Sequence, residues 1–245
     1  EGKGREGMAE VVVVFDFDRT LIPVDSDDWV INEMGLGDVF ESLYTSMEWN
    51  SLMDRIMTEA HARGKTPTDI AECLKRTPIH SQTISAVKSV HALGCDLKII
   101  SDANTFFIEK ILASYEIMSC FSQIYTNPAV VEEDVKLRIF PYQRGPHGCM
   151  LCPSNMCKGL IIDEIRYSPK TTDNKTFIYV GDGMGDFCPS IRLKESDFVM
   201  PRKRYPLSKC IQSNMHLLRA QVHEWNDPVD MSDTLASLIS MALAK

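Results

Sequence analysis

The stretch VVVVFDFDRTLI, residues 11–22, decides the fold of this chain. Its four valines and Phe15 form an apolar run without polar alternation, which is typical of a strand inside a parallel sheet with both faces covered. Asp16 and Asp18 follow at once, one residue apart. Alternate residues of an extended segment point to the same side, so both carboxylates can face one bound species. We therefore expect the chemistry at the end of this strand.

The composition is that of an ordinary soluble globular protein. The chain has 245 residues, 44% of them hydrophobic and 24% charged, which allows a large core and one smaller subdomain. No apolar stretch approaches the roughly 20 residues that a membrane-spanning helix needs. The formal net charge of −8 argues against binding to a nucleic-acid backbone. We expect neither a membrane nor a nucleic acid as partner, and the oligomeric state stays open.

Cysteine usage and the first residues bear on the cellular location. Eight cysteines without a secretory signal are more simply interpreted as thiols in a reducing compartment than as a disulfide framework. This predicts a cytoplasmic protein. Residues 1–7, EGKGREG, have no apolar region, and we interpret them as a remnant of cloning ahead of a natural start at Met8.

Alternating strand and helix patterns predict an α/β fold. Three further strands are expected at CDLKIIS (95–101), KTFIYVGD (175–182) and SDFVM (196–200). The first three strands of the chain end in Asp16, Ser101 and Asp182. Ligands of open parallel sheets bind beyond the carboxyl ends of the strands, so these side chains are expected to line one cleft.

Residues 24–84 form an insertion that is too long for a simple crossover between two strands. Its helical periodicity, with Thr66 and Pro67 placed as an N-cap and a first helical residue, predicts a small helical cap over the cleft. The core is then residues 8–23 and 85–245. Within it, residues 127–157 are expected to form a second excursion, a hairpin followed by a loop rich in Gly, Pro and Cys.

The acidic pairs predict a magnesium site. Two carboxylates as close as Asp16 and Asp18 repel each other unless a cation lies between them or one stays protonated. Mg²⁺ takes oxygen ligands and is usually held by one or two carboxylates together with phosphate and water. The segment GDGMGD, residues 181–186, offers Asp182 and Asp186 from another strand end.

Four segments together resemble a known family. DFDRT, ISDAN, the lysine of CKG, and GDGMGD occur in the order and spacing of the four motifs of haloacid-dehalogenase-like (HAD) phosphatases. In closer detail, FDFDRTLIPVDSDDW, HGCMLCPSNMCKGLIID and YVGDGMGDFCPS are similar to the PHOSPHO-type branch, above all to its plant members. The resemblance implies a Rossmann-like HAD core with a central parallel sheet and a small helical cap of the C1 type after the first strand.

The resemblance also implies catalytic roles. Asp16 would be the nucleophile that forms an aspartyl-phosphate, and Asp18 the general acid and then the general base. Ser101 and Lys158 would bind the phosphoryl oxygens. Considered without the other motifs, Ser101 would be interpreted as a helix cap and Lys158 as a solvated side chain.

The metal ligands follow from the same resemblance. Mg²⁺ would be held by Asp16, the main-chain carbonyl of Asp18 and Asp182. Asp186 would lie next to this shell, either on the metal through water or orienting Lys158.

Further acidic and aromatic residues bear on the substrate. Asp25 and Asp102 could bind the cationic amine of a phosphate ester, and Trp49 or Trp29 could add a cation–π contact. The competing interpretation is that the acids cap a helix and the tryptophans pack a core. The function expected is a magnesium-dependent phosphohydrolase for phosphocholine, phosphoethanolamine, pyridoxal phosphate or thiamine monophosphate. The alternatives are an inorganic pyrophosphatase and a catalytically silent binding protein of the same fold.

A cysteine-rich stretch offers a second metal hypothesis. His147, Cys149, Cys152 and Cys157 carry enough soft ligands for one structural Zn²⁺. The hydrolysis itself needs no second metal, and the spacing differs from that of paired zinc knuckles. Packed or free thiols, or a redox pair, are the alternatives.

Overall fold

Strand β1, Val11–Phe15, is completely buried in the computed structural model, which describes residues 11–168 and 175–244. Val11, Val13 and Phe15 contact one hydrophobic cluster, whereas Val12 and Val14 contact another on the opposite face of the sheet. Both faces are therefore covered, which explains the absence of polar alternation. The prediction of a buried strand at the centre of a parallel sheet is confirmed. Residues 1–7 and Met8 lie outside the described residues.

Six parallel strands form the main sheet in the order β3-β2-β1-β6-β7-β8. A separate antiparallel hairpin consists of β4 and β5. The remaining strands are β2 (Asp96–Asn104), β3 (Phe121–Asn127), β4 (Ala129–Glu132), β5 (Lys136–Ile139), β6 (Thr176–Gly181), β7 (Phe198–Pro201) and β8 (Gln221–Val222). The predicted α/β fold is confirmed.

The strand predictions differ from the structure at the edges of the sheet. The strand expected at residues 95–101 continues to Asn104, so Ser101 and Asp102 lie inside β2. Strands β3 and β8 were not predicted. Strand β3 is an edge strand whose sequence, FSQIYTN, mixes polar and apolar residues, and β8 has only two residues. Neither offers the continuous apolar run that marks a central strand.

Helices cover both faces of the sheet. The ten α-helices in the described part of the chain are α1 (Ser26–Glu33), α2 (Gly37–Leu43), α3 (Trp49–Ala62), α4 (Pro67–Leu74), α5 (Ser81–Ala92), α6 (Thr105–Ser114), α7 (Lys158–Tyr167), α8 (Phe187–Ser190), α9 (Pro206–Ser213) and α10 (Pro228–Leu243). Helices α5, α6 and α10 pack on one face, and α7 and α9 on the other. Among the described residues, no helix combines the length and apolarity required to cross a bilayer.

The insertion after β1 is helical, as its periodicity predicts. Residues 24–84 contain α1 to α4, and α5 starts at Ser81 near the end of that range. The Thr66 side chain accepts from the main-chain N–H of Asp69, whose carboxylate accepts in return from the Thr66 N–H. This capping box, with Pro67 in the first turn, confirms the predicted helix start. The division of the chain into core and cap stays a prediction.

Helix α3 is bound to the β4–β5 hairpin through one carboxylate. Arg138 on β5 donates from Nε and Nη2 to the two carboxylate oxygens of Asp54 on α3, at 2.8 and 2.9 Å. The main-chain N–H of Ile139 donates to the same carboxylate at 2.9 Å. A bidentate pair with an additional main-chain donor fixes geometry as well as contributing energy.

A buried ion pair joins α7 to strand β6 and the turn before β7. Asp197 is fully buried and accepts hydrogen bonds from the Arg166 guanidinium and from the main-chain N–H groups of Phe177 and Lys194. The Arg166 guanidinium lies over the Phe177 ring, 4.0 Å from its centroid. All three donors would lose their acceptor together if this carboxylate were removed.

We predict that Asp197→Ala lowers the free energy of unfolding by about 3–5 kcal/mol, because it leaves the Arg166 charge buried without a partner. Asp163→Ala is the matched control, since it removes the partly exposed partner of Arg192 from the same helix and should cost within about 1 kcal/mol. Denaturant unfolding of both variants measures the difference. Equal losses in the two variants would contradict the prediction.

Candidate active site

The carboxyl ends of β1, β2 and β6 meet at one cavity of about 150 Å³. Asp16 follows β1, Ser101 and Asp102 lie near the end of β2, and Asp182 follows β6. The predicted convergence of Asp16, Ser101 and Asp182 is therefore seen in the structure. The cavity is strongly acidic, because Arg19 and Lys158 are the only cationic side chains among the described residues that line it. Its carboxylates belong to Asp16, Asp18, Asp25, Asp27, Asp102, Asp182 and Asp186.

Lys158, the first residue of helix α7, lies at the centre of the charge network. Its side chain is buried, and Nζ donates to Asp16 Oδ1 at 2.8 Å and to Asp186 Oδ1 at 2.9 Å. Burial by itself lowers the pKa of a lysine, but the charges of Asp16 and Asp186 outweigh it and hold the pKa of Lys158 well above its usual value. Lys158 therefore remains charged and fixes the Asp16 carboxylate.

Both carboxylate oxygens of Asp186 accept hydrogen bonds. Oδ1 accepts from Lys158 and, at 2.7 Å, from the hydroxyl of Tyr179 on β6. Oδ2 accepts from the main-chain N–H groups of Asp182 and Gly183, each at 3.0 Å. Asp186 thus orients Lys158 and holds the loop that carries Asp182. Tyr179 was not predicted from the sequence. The hint that the sequence offers is that it carries a hydroxyl group within an otherwise apolar strand.

Asp16, Asp182 and Asp186 form a group that could hold a metal ion. Their carboxylate oxygens lie within 4.8 Å of one another, and all three residues are buried. Burial and the neighbouring charge of Asp186 raise the pKa of Asp182 to about 6, while Thr20 donates to its Oδ1 at 3.1 Å. A set of hard carboxylate oxygens close to a phosphate-sized cavity fits Mg²⁺. The contact of Thr20 with Asp182 was not predicted, although Thr20 belongs to the DFDRT segment.

Asp18 lines the same cavity, but its carboxylate is not part of the group formed by Asp16, Asp182 and Asp186. Its Oδ1 accepts from the main-chain N–H of Ser26 at 2.8 Å. Burial, and then the charges of Asp25 and Asp27, hold the pKa of Asp18 well above its usual range. The chain turns here because Arg19 adopts a left-handed conformation with φ of 56°. A raised pKa favours the protonated form of this carboxyl, which suits proton donation.

Ser101 is buried and lines the cavity. Its hydroxyl oxygen accepts from the main-chain N–H of Ala103 at 3.2 Å. The hydroxyl hydrogen therefore remains available to an acceptor in the cavity.

The acidic residues of helix α1 divide into two kinds. Asp25 caps the helix: its Oδ1 accepts from the N–H groups of Asp27 and Asp28, and its Oδ2 lies 3.5 Å from Arg19. Asp27, in contrast, is buried, and its Oδ1 has no hydrogen-bond partner among the described residues. Burial, followed by the charge of Asp25, raises the pKa of Asp27 to about 8. The capping interpretation thus holds for Asp25, which nevertheless lines the cavity.

Trp49, Asp102 and Asp27 all line the cavity and together border a smaller space. The indole Nε1–H of Trp49 donates to Asp27 Oδ2 at 2.7 Å. Asp102 Oδ1 is buried without a hydrogen-bond partner in the described part of the chain, and burial raises the pKa of this carboxyl. Trp29, the other tryptophan considered, donates instead to the carbonyl of Cys73 and does not line the cavity.

The prediction that His147 belongs to the group of possible zinc ligands is wrong. Both ring nitrogens of His147 are used by the main chain, because Nδ1 accepts from the N–H of Cys149 at 3.1 Å and Nε2 binds the carbonyl of Pro153 at 2.8 Å. The thiol of Cys188 joins the group in its place. The four residues of this group are Cys149, Cys152, Cys157 and Cys188.

Comparison with known proteins identifies the family. Residues 11–239 match the family described as "Putative Phosphatase". The chain belongs to this family. It is 51% identical over 237 residues to a thiamine phosphate phosphatase-like protein of Arabidopsis thaliana, covering 95% of this chain and 97% of that protein. It is 50% identical over 235 residues to inorganic pyrophosphatase 2 of the same plant, covering 94% and 84%.

More distant similarities agree with this assignment. The chain is 28% identical over 242 residues to the pyridoxal phosphate phosphatase PHOSPHO2 of Mus musculus, covering 95% of this chain and all of that protein. A solved phosphoserine phosphatase, in a form described as a phospho-aspartyl intermediate analogue, superposes with a TM-score of 0.60 at 15% identity, covering 94% of this chain and 99% of the other. The protein is therefore a PHOSPHO-type HAD phosphatase close to plant members, with a Rossmann-like core.

We predict that Gly181→Ala lowers phosphatase activity about 10- to 100-fold, because displacing catalytic groups by about 1 Å has that effect. A Cβ at Gly181 would lie 2.5 Å from Asp186 Oδ2 and 2.7 Å from its Cγ, so the carboxylate that holds Lys158 must move. Gly37→Ala is the control, since no atom lies within 4 Å of its added Cβ. Phosphate release by both variants checks this, and unchanged activity in Gly181→Ala would contradict it.

Proposed function

We propose that the protein is a Mg²⁺-dependent phosphohydrolase that transfers the phosphoryl group of a small phosphate compound to Asp16 and then to water. The observation that carries this proposal is the buried contact of Lys158 with Asp16 beside the acidic group of Asp16, Asp182 and Asp186. An ammonium held against a carboxylate fixes its orientation, while the acidic group next to it can take a divalent cation. We further propose that the enzyme works in the cytoplasm, which agrees with its eight free thiols.

The chemistry assigns one bond change to each step. The Asp16 oxygen that is not bound to Lys158 attacks phosphorus, and the bond between phosphorus and the leaving oxygen breaks. Asp18 donates its proton to that leaving oxygen. In the second step Asp18 takes a proton from water, the water oxygen attacks phosphorus, and the Asp16 carboxylate is released. The raised pKa of Asp18 supports its first role, because the carboxyl must start with a proton.

Other residues bind and position the phosphoryl group. The Ser101 hydroxyl and the Lys158 ammonium face the cavity and can bind its oxygens. Asp16, the main-chain carbonyl of Asp18 and Asp182 would hold Mg²⁺, which when bound offsets the negative charge of the phosphoryl group. We assign Asp186 to positioning Lys158, because both of its oxygens already accept hydrogen bonds from the protein.

The charge of the cavity supports a substrate with a cationic leaving group. In the part of the chain that the structure describes, seven acidic and two cationic side chains line the cavity, and a phosphate ester adds further negative charge. Asp27 Oδ1 and Asp102 Oδ1 are buried without a hydrogen-bond partner among the described residues, and Trp49 lines the same cavity. Carboxylates and an aromatic face together recognise ammonium groups. We therefore propose phosphate esters of the phosphocholine, phosphoethanolamine or thiamine monophosphate kind, bound at their cationic end by Asp27, Asp102 and Trp49.

The part of Asp25 in this proposal is indirect. Its oxygens are already used to cap helix α1 and to bind Arg19, so it has less to offer a ligand than Asp27. Its charge still raises the pKa of Asp27. A bound ammonium would reverse that effect by stabilising ionised Asp27.

Inorganic pyrophosphatase activity is the second candidate. It is favoured by the 50% identity to a plant protein of that name over 94% of this chain. Pyrophosphate would bring additional negative charge toward Asp27 and Asp102. This substrate would therefore need a second divalent cation near those residues.

The first experiment measures phosphate release with Mg²⁺ from a substrate panel. The panel contains phosphocholine, phosphoethanolamine, thiamine monophosphate, pyridoxal phosphate and pyrophosphate. We expect kcat/KM above about 10⁴ M⁻¹s⁻¹ for a phosphate ester with a cationic group, and a loss of at least about 1,000-fold in Asp16→Asn. Asp28→Asn, which changes a half-exposed acid of helix α1, is the control. Full activity in Asp16→Asn would refute the assigned nucleophile.

Asp102→Asn tests the substrate class separately. Removing this charge should raise KM for a cationic ester about 10- to 100-fold, since a hydrogen bond to a charged group contributes about 1.5–3 kcal/mol. With glycerol phosphate, which has no cationic group, KM should stay unchanged or fall. Equal losses for both esters would contradict amine recognition while leaving the phosphatase mechanism intact.

A further inference from the structure

The four-cysteine cluster consists of Cys149, Cys152, Cys157 and Cys188, none of which lines the active-site cavity. Their sulfur atoms all lie within 4.8 Å of one another. The Cys149 and Cys157 sulfurs are 3.6 and 3.8 Å from that of Cys188. Four thiolates at about 2.3 Å from a tetrahedral Zn²⁺ are about 3.8 Å apart, whereas a disulfide requires about 2.05 Å. The spacing of the cluster therefore matches a metal site and not a disulfide.

Three of these thiols belong to a long loop without regular secondary structure, which a metal cross-link would stabilise. Residues 140–157 contain neither a helix nor a strand. Segments of this length without regular structure are uncommon inside a compact domain. Two hydrogen bonds join the ends of the loop, one from the N–H of Gln143 to the carbonyl of Asn155 and one from the N–H of Cys157 to the side-chain Oε1 of Gln143. Cys149 and Cys152 lie between these ends in sequence, and their thiols lie close to that of the buried Cys188.

The cluster lies at the N-terminal end of the ten-residue helix α7, because Cys157 directly precedes its first residue, Lys158. The N–H groups in the first turn of a helix favour negative charge such as that of thiolates. A Cβ at Gly159 would lie 2.5 Å from the Cys188 sulfur, so glycine is what allows this close approach.

We propose that the four-cysteine cluster binds one structural Zn²⁺. Four sulfur ligands and no open position are the donor set of structural zinc sites. The cluster joins two segments that carry active-site residues, because Cys157 directly precedes Lys158 and Cys188 is two residues beyond Asp186. Zinc at this position would cross-link the start of α7 to helix α8, next to the segments that carry Lys158 and Asp186. The hypothesis formed from the sequence is thereby changed, with Cys188 in place of His147.

The test measures metal bound to the whole chain. The protein is produced with zinc in the medium, purified with a thiol reductant and without chelator, and analysed by mass spectrometry of its elements. We expect about one zinc per chain, as in other sites of four thiolates. Cobalt supplied in place of zinc should give the intense visible bands of a tetrahedral cobalt thiolate centre. Zinc at the level of the buffer blank, or cobalt protein without those bands, would overturn the proposal.

Two serine variants locate the metal within the chain. Cys188→Ser should lose most of the zinc, whereas Cys210→Ser, which changes a half-buried thiol on α9 outside the cluster, should keep it. Equal zinc contents in the two variants would refute the assigned ligands. If Cys188→Ser does not fold, the zinc content and cobalt spectrum of the unaltered chain still decide. Alkylation of the denatured protein without reductant supplies the remaining check, because modification of fewer than the eight cysteines would show a disulfide and refute the zinc site.

Discussion

The contact of the buried Lys158 ammonium with Asp16 and Asp186 is the interaction on which the catalytic end of the sheet depends. It joins three segments that are far apart in sequence: the end of β1, the start of α7 and the loop after β6. Carboxylates this close repel strongly where water is excluded, and a cation between them removes that repulsion. Buried pairs contribute little net stability but make the loss of one partner costly. Lys158 therefore determines the arrangement of the site more than the stability of the fold.

The remaining charges of the cavity are not balanced by the protein. Asp18, Asp27 and Asp102 all have raised pKa values because they are buried near other acids. A raised pKa favours the protonated form of each of these acids. Under the proposed function, a divalent cation and a cationic substrate would stabilise their ionised forms, so that binding would be accompanied by proton release. The same acidity disfavours anions that arrive without a cation.

The sequence predicted the parts of the site that follow continuous apolar strands. Asp16 and Asp182 were placed correctly at the edge of the sheet because VVVVF and TFIYV are completely buried. Tyr179 and Cys188 were missed for another reason. Tyr179 is one more apolar-looking residue of a strand, and Cys188 lies 31 residues beyond Cys157. Only the packing of α7 against α8 brings those two thiols together. The edge strands β3 and β8 could not be recognised, because neither is a continuous apolar run.

The pairing of Arg138 and Asp54 has a mechanical consequence. Helix α3 carries Trp49 at its first residue, against the cavity, and Asp54 one turn later, against the hairpin. A displacement of this helix would move the aromatic wall of the cavity and pull on β5 together. The position of Trp49 in the cavity wall is therefore tied to a charged contact, between Arg138 and Asp54, that lies outside the cavity. A structural change at the hairpin would reach the cavity through this one helix.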